Sequence, residues 1–506
     1  MSLDANRPDL VFGMVGTGAM GRGIAQIAAA GGCTVILVDS RPGAAAEARD
    51  HVAKMLGRLA EKGKLTAAAA EAAIGRLSVA SGMNDLAAAH VVVEAIVEDL
   101  AVKQALMREL EAIVSDDCLI ASNTSSLAVT AIAAACRLPG RVGGFHFFNP
   151  VPLMKVVEVI DGIMTEPWVG EALVTLAKRM GHTPVKAKDT PGFIVNHAGR
   201  GYGTEALKLV GEGVADFADT DRVLRDAAGF RMGPFELLDL TALDVSHPVM
   251  ESIYDQYYQE PRFRPSPITR QRLTAGLLGR KTGRGFYVYE GDRAIVPPPR
   301  PSPRGWAGAV WVAPGEGGLA VAALASKLGA TVETGEHPSA EALCIVAPLG
   351  EDCTSAALRH GLDPRRTVAV DPLFGLDSHR TVMTNPATEA RWRDAAHGLF
   401  AADGKPATVI HDSPGFIAQR VVAAIINVGC DIAQQRIASP DDIDRAVTLG
   451  LGYPFGPLAW GDRLGADKVL AVLEVMLAIT GDPRYRPSLW LKRRAQLGVS
   501  LLTAES

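Results

Sequence analysis

His146 and Glu158 are residues that can share a proton, and they stand twelve positions apart in this chain of 506 residues. Each lies in a run rich in strand-forming residues, and the prolines of the intervening Asn-Pro-Val-Pro at 149–152 predict a turn. If the two runs are neighbouring strands, the carboxylate can hold one ring nitrogen and make the other a better base. A buried histidine bonded to a structural acid is the alternative, and these residues alone do not separate the two.

A glycine-rich loop follows the first apolar run, at residues 10–15, and precedes a helical stretch. Its residues are Gly16, Thr17, Gly18, Ala19, Met20 and Gly21, a G-x-G-x-x-G. Such glycines permit a tight turn, close approach of backbone to a pyrophosphate and close helix packing, and the helix N-terminus adds free N–H groups. A strand predicted at 34–38 ends in Asp39, 23 residues after Gly16, where an acid binds the ribose. The pattern predicts an NAD site, because Asp39 repels a 2′-phosphate, and only the neighbouring Arg41 argues for NADP.

A basic stripe lies on the long helical segment predicted at about 43–79. Lys54, Arg58 and Lys62 recur every four residues and so share one helix face. A solvated face is one interpretation. A surface for the phosphates of an anionic substrate is the other.

Polar residues follow two more predicted elements. Residues 122–126, Ser-Asn-Thr-Ser-Ser, come directly after a strand predicted at 118–121, and ligands of doubly wound sheets bind at such ends. A serine there can instead cap a helix. Asn196 follows a turn at 189–192, and a buried asparagine without a partner is costly, so we expect it to bond a substrate or the facing loop.

Length and composition indicate an ordinary globular protein with three or four domains, with 48% hydrophobic and 21% charged residues. The net charge of −5 argues against a general nucleic-acid binder. Six cysteines without CxxC spacing predict reduced thiols in the cytoplasm and no metal site. Residues 1–9 contain no signal segment, and no apolar run of about 18 residues predicts a membrane span.

Seven segments resemble, in order, motifs of the 3-hydroxyacyl-CoA dehydrogenase family. They are the loop at 16–21, V-E-A-I-V-E at 93–98, S-N-T-S-S at 122–126, H-F-F-N-P at 146–150, K-V-V-E-V at 155–159, D-T-P-G-F-I-V-N at 189–196 and K-T-G-R-G-F-Y at 281–287. The whole length is similar to longer bacterial members that act on 3-hydroxybutyryl-CoA, or on 3-hydroxyadipyl-CoA in phenylacetate breakdown.

The resemblance implies a role for each group of candidate residues. It implies that His146 is the catalytic base with Glu158 as its partner, and that Ser125 and Asn196 hydrogen-bond the substrate. The residues implied to lie along NAD are Glu98, Lys103, Asn149 and Lys281. Asn149 is also expected to contact the substrate, and Lys54, Arg58 and Lys62 fall on the helical arm that holds CoA in the family.

The implied activity is reversible, NAD-dependent oxidation of a (3S)-3-hydroxyacyl-CoA to the 3-ketoacyl-CoA, as in β-oxidation, with no nucleic-acid or membrane partner. One rival is a different 3-hydroxyacid dehydrogenase, against which the basic stripe and the His–Glu pair count. The other is a catalytically inactive scaffold that keeps the fold. Joint retention of His146, Glu158, Ser125 and Asn196 argues against it, but the acyl-chain length stays open.

An internal repeat runs through the chain with a constant offset of 223 residues. D-T-P-G-F-I at 189–194 returns as D-S-P-G-F-I at 412–417, Gly-Pro at 233 returns at 456, and Asp239 returns as Asp462. Gln419 stands where Asn196 stands in the first copy, so we expect the second copy to be structural. V-M-T-N-P at 382–386 is the nearest echo of H-F-F-N-P, and it predicts that Val382 occupies the position of the base.

The predicted fold class is an α/β Rossmann-type NAD-binding domain, an all-helical domain, a shortened Rossmann-like domain and a second copy of the helical domain. The predicted boundaries are 1–187 with the helical CoA arm, 188–290, a Pro-rich linker at 291–307, 308–405 and 406–506. G-E-G-G-L-A at 315–320 leaves open a second nucleotide site with Glu333 as its acid. We expect the two helical copies to pack together within the chain, as two subunits would in a symmetric dimer, and further self-association stays open.

Overall fold

The computed structural model describes residues 3–505 and divides into two compact units. The first runs to His197 and also takes in Gln435–Leu451; the second contains Ala198–Gln434 and the chain from Gly452 onward. The helices are α1 (Ala19–Ala30), α2 (Ala44–Glu61), α3 (Ala67–Gly75), α4 (Leu100–Ile113), α5 (Val129–Ala133), α6 (Pro167–Arg179), α7 (Val195–Ala198), α8 (Arg200–Gly211), α9 (Phe217–Asp226), α10 (Pro234–Thr241), α11 (Leu243–Gln256), α12 (Pro267–Thr274), α13 (Glu316–Lys327), α14 (Cys353–Arg359), α15 (Ala390–Phe400), α16 (Ala418–Gln434), α17 (Pro440–Gly450), α18 (Pro457–Leu464), α19 (Ala466–Thr480) and α20 (Leu489–Leu497).

The strands form two large sheets and one hairpin. They are β1 (Val11–Val15), β2 (Thr34–Val38), β3 (Leu77–Val79), β4 (Val91–Glu94), β5 (Leu119–Ser122), β6 (Val142–Phe147), β7 (Val156–Asp161), β8 (Thr183–Lys188), β9 (Val288–Glu290), β10 (Arg293–Ile295), β11 (Ala309–Val312), β12 (Thr331–Glu333), β13 (Leu343–Val346), β14 (Thr367–Val370), β15 (Arg380–Thr384) and β16 (Ala407–Ile410).

The sheet of the first unit has eight strands in the order β3-β2-β1-β4-β5-β6-β7-β8. All neighbours are parallel except β6 and β7. The central strands are buried on both faces and read as continuous apolar runs, as parallel strands covered by helices do. The strand order reverses between β1 and β4, which is where a doubly wound sheet opens a crevice for a dinucleotide.

The helical segment predicted at 43–79 is interrupted, which corrects the sequence-based expectation. Helix α2 ends at Glu61, a turn follows, and Thr66 caps α3 by accepting a hydrogen bond from the amide of Ala69 at 3.1 Å. The segment then ends in β3, which pairs with β2. Gly63 adopts φ +65° in the turn, a conformation that favours glycine and ends a helix. Lys62 therefore lies just beyond α2.

The second unit holds a smaller sheet in the order β12-β11-β13-β14-β15-β16, again parallel except for one antiparallel step, between β14 and β15. In both sheets the antiparallel step lies between the second and third strands from one edge, which are β7 and β6 in the first sheet and β15 and β14 in the second. The predicted fold class is confirmed, because a Rossmann-type sheet, a helical region, a second reduced sheet and further helices follow one another along the chain. None of the helices in residues 3–505 is long and apolar enough to cross a bilayer.

Helices of the two helical copies pack together inside the second unit, where α8 lies against α16. A buried ion-pair cluster joins them. Glu205 on α8 accepts hydrogen bonds from Arg420 at 2.7 Å, Arg484 at 3.1 Å and the hydroxyl of Tyr485 at 2.7 Å. Burial alone would raise the pKa of Glu205, but the two guanidinium charges hold it at about 2. The cluster joins copy one to copy two and could not form between two second copies, because copy two has Val428 at the repeat position of Glu205.

Candidate active site

His146 on β6 stands directly opposite Glu158 on β7 in the antiparallel register. Its Nδ1 lies 2.6 Å from Glu158 Oε2, and both side chains are buried, with 5% and 0% exposed. The other carboxylate oxygen, Oε1, accepts hydrogen bonds from the amides of Ile194 and Val195, each at 2.9 Å. Since both oxygens of Glu158 are held, the carboxylate fixes the orientation of the ring and leaves Nε2 as the nitrogen for acid–base chemistry.

Aromatic rings flank this imidazole. The ring of Phe148 lies 4.4 Å from that of His146, and the ring of Phe193 lies 5.9 Å away, measured between centroids. Apolar neighbours limit water around the His–Glu pair, and electrostatic interactions are stronger where water is excluded. The pair is therefore oriented by hydrogen bonds on one side and sheltered by rings on another.

The hydroxyl-rich loop after β5 is organised by Glu98. One carboxylate oxygen of Glu98 accepts hydrogen bonds from the hydroxyls of Thr124 at 2.7 Å and Ser126 at 3.0 Å, and from the amide of Ser125 at 2.9 Å. Burial tends to raise the pKa of Glu98, but these hydrogen bonds and the charge of Lys103 outweigh it, and the pKa lies below its usual value. Glu98 thus takes up two of the three loop hydroxyls and leaves that of Ser125 to other partners.

Asn196 meets the same loop. Its side-chain nitrogen donates to the backbone carbonyl of Ser125 at 3.3 Å. The sequence left open whether Asn196 bonds a substrate or the facing loop, and the structure brings it onto the loop beside Ser125. Both residues belong to the unit that carries His146 and Glu158.

Lys103 and Glu94 form a buried pair beneath this loop, which the sequence did not indicate. The Lys103 ammonium lies 2.9 Å from both oxygens of Glu94 and 3.4 Å from Glu98, and Lys103 is 1% exposed. The hydroxyl of Ser122 also bonds Glu94. An expectation that Lys103 and Glu98 lie along a cofactor stays a prediction, while their observed contacts support the loop.

The glycine loop has the geometry that a pyrophosphate requires. Gly16 adopts φ +86°, and a Cβ at Gly21 would lie 1.8 Å from the carbonyl oxygen of Gly16. A Cβ at Gly18 would meet no atom within 4 Å, so its backbone faces open space at the start of α1. No side chain caps that helix, and its first N–H groups remain for a ligand. These features fit a bound dinucleotide.

Asp39 closes the same site at the end of β2. Its carboxylate accepts hydrogen bonds from the amide of Thr17 at 2.7 Å and from that of Arg41 at 2.9 Å. Burial opposes ionisation, but these bonds prevail and the pKa of Asp39 is lowered. The guanidinium of Arg41 pairs with Glu47 at 2.6 Å on the exposed surface.

A cavity of about 580 Å³ lies between α1, α2 and the turn that joins β6 to β7. Apolar side chains of α1 and α2 form its floor, and Arg22, His51, Lys64 and Lys155 stand among its polar lining. Burial, followed by the charges of Arg22, Arg58 and Lys54, lowers the pKa of His51, so those cations lie near it. Asn149 is exposed at the rim. Sequence reasoning missed Arg22, Lys64 and Lys155, although Lys155 stands between the runs that contain His146 and Glu158.

Lys54, Arg58 and Lys62 are all exposed, and none of the three lines the cavity in the described part of the chain. Lys281 lies in the second unit, where it pairs with Asp244. The expectations of CoA contacts at Lys54, Arg58 and Lys62 and of a cofactor contact at Lys281 therefore stay predictions.

The repeat places a different residue at the position of the base than the sequence echo predicted. In the first unit Ile160 pairs with Ala187 across β7 and β8. In the second, Met383 pairs with Ile410, which lies 223 residues after Ala187. Met383 therefore corresponds to Ile160, and counting back two residues along each strand, Thr381 corresponds to Glu158.

Asp371 corresponds to His146 in this register. Val370 pairs with Val382 across β14 and β15, and the next amide, that of Asp371, donates to the carbonyl of Thr381 at 3.1 Å. The prediction that Val382 occupies the position of the base was wrong. The echo V-M-T-N-P begins on β15, one strand away from β14, because sequence similarity gives no strand register.

Comparisons with known proteins agree with this geometry. The model described as 3-hydroxyacyl-CoA dehydrogenase, NAD binding domain, matches residues 11–190, and the C-terminal domain of the same family matches residues 192–289 and 415–501. A 3-hydroxyadipyl-CoA dehydrogenase of Escherichia coli K12 is 37% identical over 485 residues, covering 96% of this chain and 97% of its own. A probable 3-hydroxybutyryl-CoA dehydrogenase of Deinococcus radiodurans is 41% identical over 55% of this chain and 99% of its own.

A solved structure gives the same result for the full length. The crystal structure of 3-hydroxybutyryl-CoA dehydrogenase from Escherichia coli K12 matches with a TM-score of 0.83 and 36% identity, covering 97% of this chain and 99% of that one. The family's C-terminal domain is matched twice, in the two places related by the internal repeat. With a dinucleotide loop, a His–Glu pair and a two-part helical domain in one chain, this protein belongs to the 3-hydroxyacyl-CoA dehydrogenase family.

Proposed function

We propose that this enzyme oxidises (3S)-3-hydroxyacyl-CoA to 3-ketoacyl-CoA with NAD, and catalyses the reverse reduction. The observation that carries the proposal is the 2.6 Å contact between His146 Nδ1 and Glu158 Oε2 in the unit that also holds the glycine loop. NAD, when bound, accepts the hydride from C3 of the substrate. The (3S) preference comes from the family.

His146 takes the proton of the substrate hydroxyl on Nε2 during oxidation and returns it in the reverse direction. Glu158 stabilises the imidazolium that forms, because an isolated charge at this buried position would be expensive. The Ser125 hydroxyl and the Asn196 side chain hydrogen-bond the oxygen that becomes the ketone. A positioned base of this kind contributes about 10²–10⁴ in rate.

The direct test is a steady-state assay that follows NADH absorbance with acetoacetyl-CoA. Turnover supports the proposal, and its absence with NADH and with NADPH would favour an inactive scaffold. A different 3-hydroxyacid dehydrogenase would instead turn over free 3-hydroxyacids as well as their CoA thioesters.

Asp39 selects NAD, because its carboxylate accepts ribose hydroxyls and repels a 2′-phosphate. The guanidinium of Arg41, the one feature that could favour NADP, pairs with Glu47 at 2.6 Å on the exposed surface. Measuring kcat/KM for both cofactors in the wild type and in Asp39→Ala checks this. Equal use of NADP by the wild type would contradict it.

The cationic lining of the 580 Å³ cavity favours CoA as the substrate handle. Replacing Lys54, Arg58 and Lys62 by Ala is expected to raise KM for acyl-CoA more than for a pantetheine analogue without the phosphates. In the wild type KM should rise with salt, because exposed charges are screened. Equal losses on both substrates would mean that the stripe is only a solvated face. Arg22→Ala and Lys155→Ala then ask whether the cavity lining acts with the stripe.

The acyl group is the open part of the proposal. Relatives that match the full length include one named for 3-hydroxyadipyl-CoA and one named for 3-hydroxybutyryl-CoA. Comparing kcat/KM of this enzyme for the two substrates decides whether a terminal carboxylate is preferred.

A further inference from the structure

Residues 435–451 belong to helical copy two by the repeat, yet they pack inside the first unit. They correspond to residues 212–228 of copy one, and α17 corresponds to α9. Helix α17 lies against β7 and β8, and its buried residues Ile443, Ala446 and Val447 face them. Helical copy two therefore supplies one helix to the unit that holds the catalytic pair.

This segment covers the free edge of the catalytic sheet. The amide of Lys188 on β8 donates to the carbonyl of Ile437 at 2.8 Å, and that of Lys186 donates to the Asp442 carboxylate at 3.4 Å. Uncovered edge strands expose such amides to water or to other chains. Copy one makes the equivalent contact in the second unit, where His411 donates to the carbonyl of the corresponding valine, Val214, at 2.9 Å.

The end of α17 reaches the residues that hold Glu158. A Cβ at Gly450 would lie 3.0 Å from Cγ2 and 3.2 Å from Cγ1 of Val195, tighter than ordinary contact. The amide of Val195 donates to Glu158 Oε1 at 2.9 Å, and the next residue is Asn196. The repeat position in copy one is Ala227, which carries the Cβ that Gly450 lacks. The copy that lacks a side chain at this position is therefore the one whose helix packs beside Val195 and the turn that holds Glu158.

We infer that Gly450 of copy two is a positioning residue for catalysis. By leaving room for Val195, it lets the turn at 192–196 place one amide on Glu158 and the Asn196 side chain on the Ser125 loop. Copy two then takes part in the reaction through α17, which goes beyond the structural role expected from Gln419. This inference rests on the proposed function, in which Glu158 orients the base.

The test uses the full chain with Gly450→Val, which crowds Val195. We expect kcat to fall about tenfold to a hundredfold, the cost of a displacement of about 1 Å in a catalytic constellation. KM for NADH should change less than kcat, and the pH profile of kcat should be displaced because the Glu158 carboxylate moves. Leu449→Val is the matched control, since it places the same residue one position earlier on the exposed side of α17, and it should keep wild-type kcat.

A second variant removes the crowding. Val195→Ala combined with Gly450→Val should recover most of the activity lost in Gly450→Val. Among the wild type, the two single variants and the double variant, the effects of the two substitutions on thermal stability should be non-additive. Wild-type kcat in Gly450→Val, or no recovery in the double variant, would overturn the inference. Non-additive stabilities report the contact independently of the reaction, so a wild-type kcat in His146→Gln would defeat the proposed function while leaving that contact intact.

Discussion

The two halves of the chain place different side chains on the same backbone arrangement. In the first, His146 and Glu158 face each other across an antiparallel step. In the second, Asp371 and Thr381 occupy those two positions, and Gln419 replaces Asn196. Each half keeps the Asp-x-Pro-Gly-Phe turn, with the phenylalanine at φ +49° in one and +48° in the other. Conservation of the turn in both halves indicates that it serves the fold, while the side chains around it decide the chemistry.

The second half is closed where the first can bind a ligand. Gln419 donates to the Asp371 carboxylate at 2.8 Å and to the carbonyl of Pro348 at 3.3 Å, and its oxygen accepts from the amide of Gly350 at 2.9 Å. Asp371 is 1% exposed, and burial raises its pKa to about 6. Every hydrogen-bonding group of this glutamine is taken up inside the protein. We expect the site formed by Asp371 and Gln419 to have no catalytic part.

The glycine loops differ in the same sense. The residue before α13 is Gly315, which matches Gly18 and likewise would meet no atom within 4 Å with a Cβ, but Ala313 stands where the first half has Gly16. Glu333, the candidate ribose acid, accepts hydrogen bonds from Ser339. Glu316 begins α13 and pairs with Lys468, placing a negative charge where a phosphate would bind. These contacts favour packing over a second nucleotide site.

The largest expected difference between the halves is at the position of the base. His146→Gln should lower kcat by about two to four orders of magnitude, the usual worth of a positioned base, and leave NADH binding nearly unchanged. Asp371→Asn is its counterpart and should keep wild-type kcat. Steady-state kinetics and an NADH titration measure both. A wild-type kcat in His146→Gln would show that His146 is no more important for the reaction than Asp371.

The next effect tests why unlike copies pair. Arg420→Met leaves the buried Glu205 with one guanidinium fewer, and breaking such a pair costs about 3–5 kcal/mol in the free energy of unfolding. Arg445→Met removes an exposed partner of Asp442 and should cost less than about 1 kcal/mol. Urea unfolding of the full chain compares them. Equal losses would show that the buried cluster does not stabilise the pairing of copies.

A smaller expected effect distinguishes the side-chain amide of Asn196 from that of Gln419, its counterpart in the second half. Asn196→Ala should lower kcat about tenfold or more, since a hydrogen bond to a developing charge contributes about 1.5–3 kcal/mol. Gln419→Ala should keep kcat within about twofold and instead lower stability by about 1–3 kcal/mol, because it leaves buried groups unpaired. If Gln419→Ala lost activity while its fold stayed intact, the site formed by Asp371 and Gln419 would not be purely structural.

The smallest effect is a pH dependence confined to the second half. The pKa of Asp371 is raised from 3.8 to about 6 by burial, so the folded state favours its protonated form. Its contribution to stability is present below about pH 4 and is lost as pH rises through about 6. Asp371→Asn mimics the protonated form, so it should gain about 1–3 kcal/mol over the wild type by about pH 7.5 and little near pH 4.

Urea unfolding at those two pH values measures the difference directly. Asp221 does not interfere, because its pKa, raised by burial to about 7, shifts stability in both proteins alike. A variant that is less stable than the wild type at both pH values would mean that Asp371 is charged in the fold.

Local sequence determined much of this protein. Apolar runs placed β2 to the residue and β1 and β5 within one residue, because a buried strand is encoded by its own consecutive side chains. The glycine loop, Asp39 and the 223-residue repeat were likewise visible, since each depends on residues at fixed spacing. The predicted fold class followed from these elements. The boundaries of the five predicted segments stay a prediction.

Tertiary structure decided what depends on residues distant in sequence. Strand register placed Asp371, and not Val382, at the position of the base. Folding of the loop brought the hydroxyls of Thr124 and Ser126 onto the Glu98 carboxylate. Pairing at the edge of β8 placed α17 of copy two against the sheet that contains His146 and Glu158. A pattern along the chain cannot specify these arrangements, because register and packing partners are selected only when separate elements bury their surfaces against one another.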